Sequence, residues 1–191
     1  MPDQSTKPRF PRAAAIAVAR EIVTALEPGC TRLIVAGSLR RKKAEVGDVE
    51  ILFIPAIEKA KVDLLRVAFI SKADLIIERL LAAKIIAKRP SKFGQFSWGK
   101  ENKLAIHSAS GIPVDFFTAT EANWYNYLVC RTGPADLNIR IASEAKKRGY
   151  RWNPYGVGFT HLESGMVIPT LSEEDVFQFT NIPFPPPWER I

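Results

Sequence analysis

The sequence has few of the residues that build disulfide frameworks or metal centres of nitrogen and sulfur. Its 191 residues include two cysteines and two histidines, and neither pair has the spacing of a zinc site or a disulfide scaffold. No apolar run reaches the roughly 18 residues that a membrane-spanning helix needs. Residues 1–12 are polar and lack the apolar core of a signal peptide. These absences predict an intracellular protein with no membrane partner, in the cytoplasm of a bacterium or virus-infected cell, or in a nucleus.

Acidic side chains are outnumbered by basic ones. The chain has 27 Lys and Arg against 20 Asp and Glu, a net charge of +7. Such an excess favours a polyanionic partner, because basic groups release condensed counterions from phosphates. It is equally compatible with a soluble protein that happens to be basic. An apolar share of 47% is ordinary for a globular protein and predicts a packed core.

The most informative stretch joins a Gly-Ser turn to a pair of acids. Gly37 and Ser38 follow one apolar run and precede two arginines, and Asp48 and Glu50 open the next apolar run. Residues i and i+2 of a strand face the same side, so the two carboxylates point together. Like charges this close need a cation or a shared proton. Oxygen ligands beside free backbone amides and arginines suit magnesium and a nucleoside triphosphate, which predicts a phosphoryl-transfer site.

Two divalent ions in such a site need bridging carboxylates, and a third acid should come from a neighbouring strand. Asp115 is the best candidate, because it lies within an otherwise apolar segment where an unpaired acid is costly. Its alternative role is to cap a strand end or face solvent. Gly37 and Ser38 would let a triphosphate approach backbone amides, Arg41 would reach a phosphate oxygen, and Gly47 would give close backbone access.

The patterning predicts an α+β fold in two lobes. Residues 1–12 form a flexible tail, residues 13–120 a palm-like lobe with a mixed or antiparallel sheet and helices on one side, and residues 121–191 a small helical and β-hairpin lobe. Helices are expected over 13–26, 64–83, 121–129 and 135–148, with a last helix opening at 172–175. Strands are expected over 33–36, 49–55, 85–89, 104–107, 113–118, 150–152, 156–160 and 166–168. The substrate should lie in the cleft between the lobes.

The motif resembles the signature of the nucleotidyltransferase superfamily, and specifically DNA polymerase family X, the group of DNA polymerase beta. The matching residues are Gly37-Ser38-x-x-Arg41, Gly47-Asp48-x-Glu50, Val114-Asp115, Thr132-Gly133, Asn138, and the segments 145–150, 153–156 and 172–177. The resemblance covers about residues 30 to 190 and includes that family's thumb, which distinguishes a polymerase from a small-molecule nucleotidyltransferase.

The resemblance implies a role for each matching residue. Asp48, Glu50 and Asp115 would hold two magnesium ions, with Asp115 nearest the primer 3′-hydroxyl. The remaining residues would bind the nucleotide: Ser38, Arg41 and Gly47 at the β- and γ-phosphates, Gly37 at the turn beneath them, Thr132 and Gly133 beside the sugar, and Asn138 at the minor-groove edge of the base.

Three departures from the family pattern change these expectations. The second acid is Glu50 where the family has aspartate, which slows the magnesium reaction or favours manganese. Cys130 and Arg131 replace an aromatic pair. The family's helix-hairpin-helix motifs and lyase lobe have no counterpart, so a minimal form is expected. DNA contact would then depend on basic and aromatic surface residues: Lys88, Arg89, Lys92, Trp98, Lys100, Lys103, Lys146, Lys147, Arg148 and Arg151.

The expected function is that of a minimal, monomeric, metal-dependent DNA polymerase. It would add a dNMP from a dNTP to a primer 3′-hydroxyl on primer-template or gapped DNA, as in short-gap repair. Two alternatives stay open. One is a terminal or small-substrate nucleotidyltransferase that ignores a template, and the other is a nucleic-acid-binding protein with an impaired palm.

Overall fold

A computed structural model describes residues 8–61, 67–91 and 93–190. In this part of the chain the helices are α1 Arg12–Leu26, α2 Gly37–Arg40, α3 Lys72–Ala82, α4 Trp124–Thr132, α5 Ala135–Lys147 and α6 Glu173–Thr180. The strands are β1 Phe10–Pro11, β2 Cys30–Val35, β3 Glu45–Val46, β4 Val49–Pro55, β5 Ile57–Lys61, β6 Val67–Ser71, β7 Ile86–Lys88, β8 Asn102–His107, β9 Pro113–Thr118, β10 Tyr150–Trp152, β11 Gly158–His161 and β12 Val167–Pro169.

A five-stranded sheet forms the centre of the palm lobe, in the order β2-β4-β9-β8-β7. Strands β4 and β9 run parallel and the other neighbours are antiparallel. Val49, Ile51 and Phe53 point to one face, where they pack with buried residues of α1 and α3. Side chains alternate along a strand, so this face is continuously apolar. The predicted mixed sheet with helices on one side is therefore confirmed.

The opposite face of the same sheet carries the second lobe. Leu52 of β4 and Phe117 of β9 pack against Trp124 and Leu128 of α4. Glu50 and Asp115 share the side-chain parity of these residues and so lie on this face, nearer the strand starts. The second lobe thus covers one part of the face and leaves the acidic part beside it.

The C-terminal lobe combines three helices with an antiparallel β-meander of β10, β11 and β12. Its own core includes Ile141 of α5, Phe159 of β11 and Phe177 of α6, all fully buried. Helix α6 begins with a capping box, in which Ser172 Oγ accepts the Asp175 amide and the Asp175 carboxylate accepts the Ser172 amide, both at 3.0 Å. The predicted helical and β-hairpin lobe is confirmed.

The structure corrects the helix expected over 64–83. Helix α3 begins at Lys72, where Ser71 Oγ caps the Asp74 amide at 3.1 Å. The residues before it form strand β6, which pairs with β5 as a hairpin, and residues 62–66 lie outside the described part. Residues 67–70 form a short continuous apolar run, and periodicity alone cannot assign such a run to a strand or to the start of a helix.

Two residues of the predicted flexible tail are ordered by pairing. Phe10 and Pro11 of β1 pair with Val46 and Glu45 of β3, immediately before the acidic motif. Residues 1–7 of that tail lie outside the described part. Among the described helices, none has both the length and the apolar character needed to cross a membrane.

Candidate active site

Two parallel strands of the palm sheet bring the predicted acids together. Glu50 of β4 is the register partner of Asp115 of β9, so their side chains leave the same face of the sheet. Asp48 lies two residues before Glu50. Burial, the charge of Asp48 and the charge of Asp115 raise the pKa of Glu50 to about 8, although two neighbouring arginines oppose the shift. The negative charge here exceeds what the surrounding cations neutralise.

Gly37 is required where the Gly-Ser turn meets Glu50. Its φ is +62°, a left-handed conformation that glycine adopts without a steric penalty. A Cβ at this position would also lie 2.5 Å from Glu50 Oε2. Glycine thus allows the turn and leaves room for the carboxylate, in addition to the predicted access for a phosphate.

A cleft of about 310 Å³ lies between the two lobes, and most of the predicted site residues line it. Its lining includes the residues predicted from the sequence, which are Gly37, Ser38, Arg41, Gly47, Asp48, Glu50, Gly133 and Asn138. Residues 132–138 are about 90 positions away from the Gly-Ser turn in sequence. The fold thus places the predicted phosphate, sugar and base contacts around one cavity. Thr132 and Asp115 do not line it.

Thr132 is buried and supports the cleft wall from behind. Its carbonyl accepts a hydrogen bond from the Arg41 guanidinium, and its Oγ1 accepts one from Arg40 at 2.6 Å. The next residue, Gly133, has φ of +62°, and a Cβ there would lie 3.3 Å from Arg41. Arg41 therefore packs closely against this turn.

Several buried polar atoms around the cleft have no hydrogen-bond partner. Arg41 Nε, Arg131 Nε and Asn138 Oδ1 are three of these, among the described side chains. The Asn138 amide nitrogen donates to the Cys130 carbonyl at 2.8 Å, which fixes its oxygen as an acceptor. Leaving such atoms unpaired costs about 1–3 kcal/mol each. A bound polar ligand would remove that cost.

Asp115 is paired within the protein. Arg89 donates to Asp115 Oδ1 at 2.5 Å, and only 10% of the Asp115 side chain is exposed. In the described part of the chain, no three His, Cys, Asp or Glu side chains are close enough to hold one metal ion. The three carboxylates have the right donor chemistry for magnesium, but their arrangement in this structure does not fit a bound ion.

Comparison with known proteins gives one match within the second lobe and one over most of the chain. Residues 127–191 match the DNA polymerase beta thumb family. Over 182 residues, 94% of this chain, the sequence is 29% identical to the "DNA polymerase/3'-5' exonuclease PolX" of Bacillus subtilis (strain 168). Both matches support the resemblance to the family X DNA polymerases. It spans 28% of the length of that Bacillus relative.

Arg131 occupies the position where the family X pattern has an aromatic residue. Its guanidinium stacks 3.8 Å above the Phe117 ring and lies 5.4 and 5.6 Å from the Tyr127 and Tyr155 rings. It also donates to the Tyr155 hydroxyl at 3.0 Å. Its charge opposes the rise in the pKa of Glu50. In the sequence, the position of Arg131 just before Thr132 and Gly133 was the only sign that this cation lies near the acid cluster.

A buried ion-pair network joins the two lobes of this protein behind the cleft. Arg40 of α2 donates two hydrogen bonds of 2.7 Å to Glu173 at the start of α6. Arg190, 1% exposed, donates to the same carboxylate at 3.2 Å. Burial by itself would raise the pKa of Glu173, but the hydrogen bonds and charges of Arg40 and Arg190 lower it. The sequence analysis missed this network, because its members are up to 150 residues apart.

Some of the residues predicted to contact DNA are exposed, and others have partners within the protein. Those with exposed positions are Lys88, Lys100, Lys146, Lys147, Arg148 and Arg151. Lys103 is buried, and its amine donates to Asp74 at 2.6 Å and to the Gly99 carbonyl at 2.8 Å, so this structure does not present it to a partner. Trp98 donates to Glu78 at 2.7 Å. Lys92 lies outside the described residues.

Proposed function

We propose that this protein is a nucleotidyltransferase that adds a dNMP from a dNTP to the 3′-hydroxyl of a DNA primer. Short-gap repair synthesis is the role that we infer for it. The observation that carries the proposal is the interlobe cleft, in which two acids and six predicted nucleotide-binding residues face one cavity. The Bacillus relative is named as a DNA polymerase, which supports the same chemistry.

The proposed nucleotide lies along the cleft with its phosphates on the palm side. Ser38 and Arg41, at the start of α2, would hold the β- and γ-phosphates, with the backbone of Gly47 nearby. Asn138 Oδ1, a buried acceptor without a partner, would take a hydrogen bond from the base edge. Gly133 would leave space for the sugar. Each of these residues lines the cavity.

Two magnesium ions are the proposed cofactor, with manganese as the favoured substitute because Glu50 is longer than aspartate. When bound, such ions neutralise charge on the attacking and leaving oxygens. Asp48, Glu50 and Asp115 are the proposed ligands. The Arg89 contact keeps Asp115 from this role in the present structure, so ligand binding would need that side chain to be released.

Primer extension tests the function directly. The purified protein, with magnesium or manganese, is given a labelled primer on a one-nucleotide gap, on a recessed duplex and as a single strand. We expect incorporation of the templated nucleotide on the first two substrates. Addition that ignores the template would instead identify a terminal transferase, and DNA binding without incorporation in either metal would identify an impaired palm.

A pair of isosteric variants assigns the activity to this cleft. Glu50→Gln removes one carboxyl group from the acid cluster, and Glu163→Gln removes one from an exposed turn between β11 and β12. We expect loss of incorporation only in the first variant. Equal activity of the two variants would show that the reaction takes place elsewhere.

A further inference from the structure

The disagreement between the acid cluster and a metal site has an identifiable cause. Asp115 is one of three carboxylates of the correct type, yet its Oδ1 is held 2.5 Å from the Arg89 guanidinium. A cation paired with a ligand oxygen also repels a divalent ion that approaches the same oxygen. Arg89 therefore competes with metal for Asp115.

Arg89 is itself fixed by the palm sheet. Its Nε donates to the Ala105 carbonyl of β8 at 3.0 Å, and Nη1 donates to the Pro90 carbonyl at 3.4 Å. Together with the Asp115 contact, these bonds use all three nitrogens of the guanidinium. The arginine is thus aimed at the carboxylate by neighbouring backbone, which distinguishes this pair from a mobile surface ion pair.

The pair is more accessible from the arginine side than from the acid side. The Arg89 side chain is 20% exposed and the Asp115 side chain 10%. An anion from solution can therefore approach Arg89 more easily than a cation can approach Asp115. Two oxygens of a phosphate group can each accept a hydrogen bond from one guanidinium.

We propose that Arg89 is a positioning residue that holds Asp115 in a metal-excluding state until a phosphate of the primer strand takes over its guanidinium. The sequence analysis placed Arg89 only among candidate DNA contacts. We call the pair of Arg89 and Asp115 the latch. DNA that bound Arg89 would release Asp115, which could then complete the acid cluster. The release step, but not the latch itself, depends on the proposed function.

Manganese binding without turnover tests the latch. Free Mn²⁺ is followed by electron paramagnetic resonance, with no DNA or nucleotide, in the wild type and in Arg89→Gln, which keeps a donor for Ala105 and removes the charge. We expect the variant to bind Mn²⁺ roughly tenfold more tightly, because a nearby positive charge is gone. Equal or weaker binding by Arg89→Gln would overturn the latch, since a purely structural or orienting arginine gives that result.

Two control variants and one replacement variant accompany this measurement. Arg79→Gln removes one charge from the exposed side of α3, across the sheet from the acids, and should bind Mn²⁺ like the wild type. Arg89→Lys keeps the charge and should also remain weak. If Arg89→Gln fails to fold, as judged by circular dichroism, Arg89→Met replaces it with the same expected gain. A gain equal to that of Arg79→Gln would contradict the latch.

A recessed DNA duplex tests the release. We expect it to tighten Mn²⁺ binding to the wild type and to leave Arg89→Gln unchanged. No tightening in the wild type would overturn release by DNA. Because metal binding is read without nucleotide, a tighter Arg89→Gln with no primer extension would refute the proposed polymerase while the latch stands.

Discussion

Two glutamates of this protein, both close to the interlobe cleft and both largely buried, have opposite electrostatic environments. Glu173 receives hydrogen bonds from Arg40 and Arg190, and its pKa is lowered. Glu50 lies beside two other acids, and its pKa is raised to about 8. The Glu173 site stabilises the fold, because its charges are balanced within the protein. At the second site, burial and the neighbouring acids outweigh the nearby arginines, so the pKa of Glu50 is raised.

The largest expected difference is in catalysis. Glu50→Gln should lower primer extension by at least about 100-fold, because several kcal/mol of charge stabilisation depend on the acid cluster. Glu173→Gln should retain measurable activity, since its carboxylate does not line the cleft. Single-turnover incorporation on a gapped duplex provides the comparison. Similar losses in both variants would remove the distinction between the two sites.

The next difference is in stability and has the opposite pattern. Glu173→Gln leaves Arg40 and Arg190 without their shared carboxylate, and we expect it to lower the free energy of unfolding by about 2–3 kcal/mol. Glu174→Gln, at the exposed neighbouring position, should change it by less than about 0.5 kcal/mol. Urea denaturation at neutral pH measures both. A Glu173→Gln variant as stable as its neighbour would show that the network does not join the lobes energetically.

The pH dependence of stability should also differ in sign. In the folded state Glu50 keeps a proton between pH 4.5 and about 8 that the unfolded chain has lost, so the free energy of unfolding falls as pH rises through that range. Glu50→Gln should therefore gain on the order of 4 kcal/mol relative to the wild type between pH 5 and pH 9.

Glu173 has a lowered pKa, so its contribution is present above pH 4.5 and is lost as the pH falls below that value. The penalty of Glu173→Gln should accordingly shrink in acid. Urea midpoints over the full pH range test both slopes. A Glu50→Gln advantage that does not change with pH would contradict the raised pKa.

The smallest effect concerns the cation that partly compensates Glu50. Arg131→Met removes stacking on Phe117 and the hydrogen bond to Tyr155, which should cost about 1 kcal/mol of stability at pH 7. Arg131→Lys should recover part of this loss, because an ammonium can still lie over the rings. Thermal unfolding of the pair shows whether the aromatic cage contributes as a cation-π site. Identical losses would mean that only packing matters.

The parts of the site that are formed by residues close together in the sequence were predicted most accurately. Strands β4 and β9 were located to the residue, because apolar runs there are bounded by Gly47 and Gly111 turns and contain single acids. The shared face of Glu50 and Asp115 needed only the alternation of strands. Hairpin β5–β6 was missed because its apolar spacing also fits the start of a helix.

Contacts between distant residues could not be predicted. The pairing of Arg89 with Asp115 depends on how β7, β8 and β9 align, and the joining of Arg40 to Glu173 depends on how the lobes dock. From sequence alone, basic residues near a polymerase-like motif are predicted to contact nucleic acid. The structure shows that Arg89 and Lys103, both predicted to contact DNA, instead pair with acids of the protein.

A carbon-13 NMR titration of the glutamate side-chain carboxyls tests the central comparison most directly, with Glu50→Gln and Glu173→Gln used for assignment. We expect the Glu50 carboxyl to titrate near pH 8 and the Glu173 carboxyl below pH 4.5, and added Mg²⁺ to lower the midpoint of Glu50 alone. A Glu50 midpoint near 4.5 that magnesium leaves unchanged would contradict both the raised pKa and the proposal that this cluster binds a divalent cation.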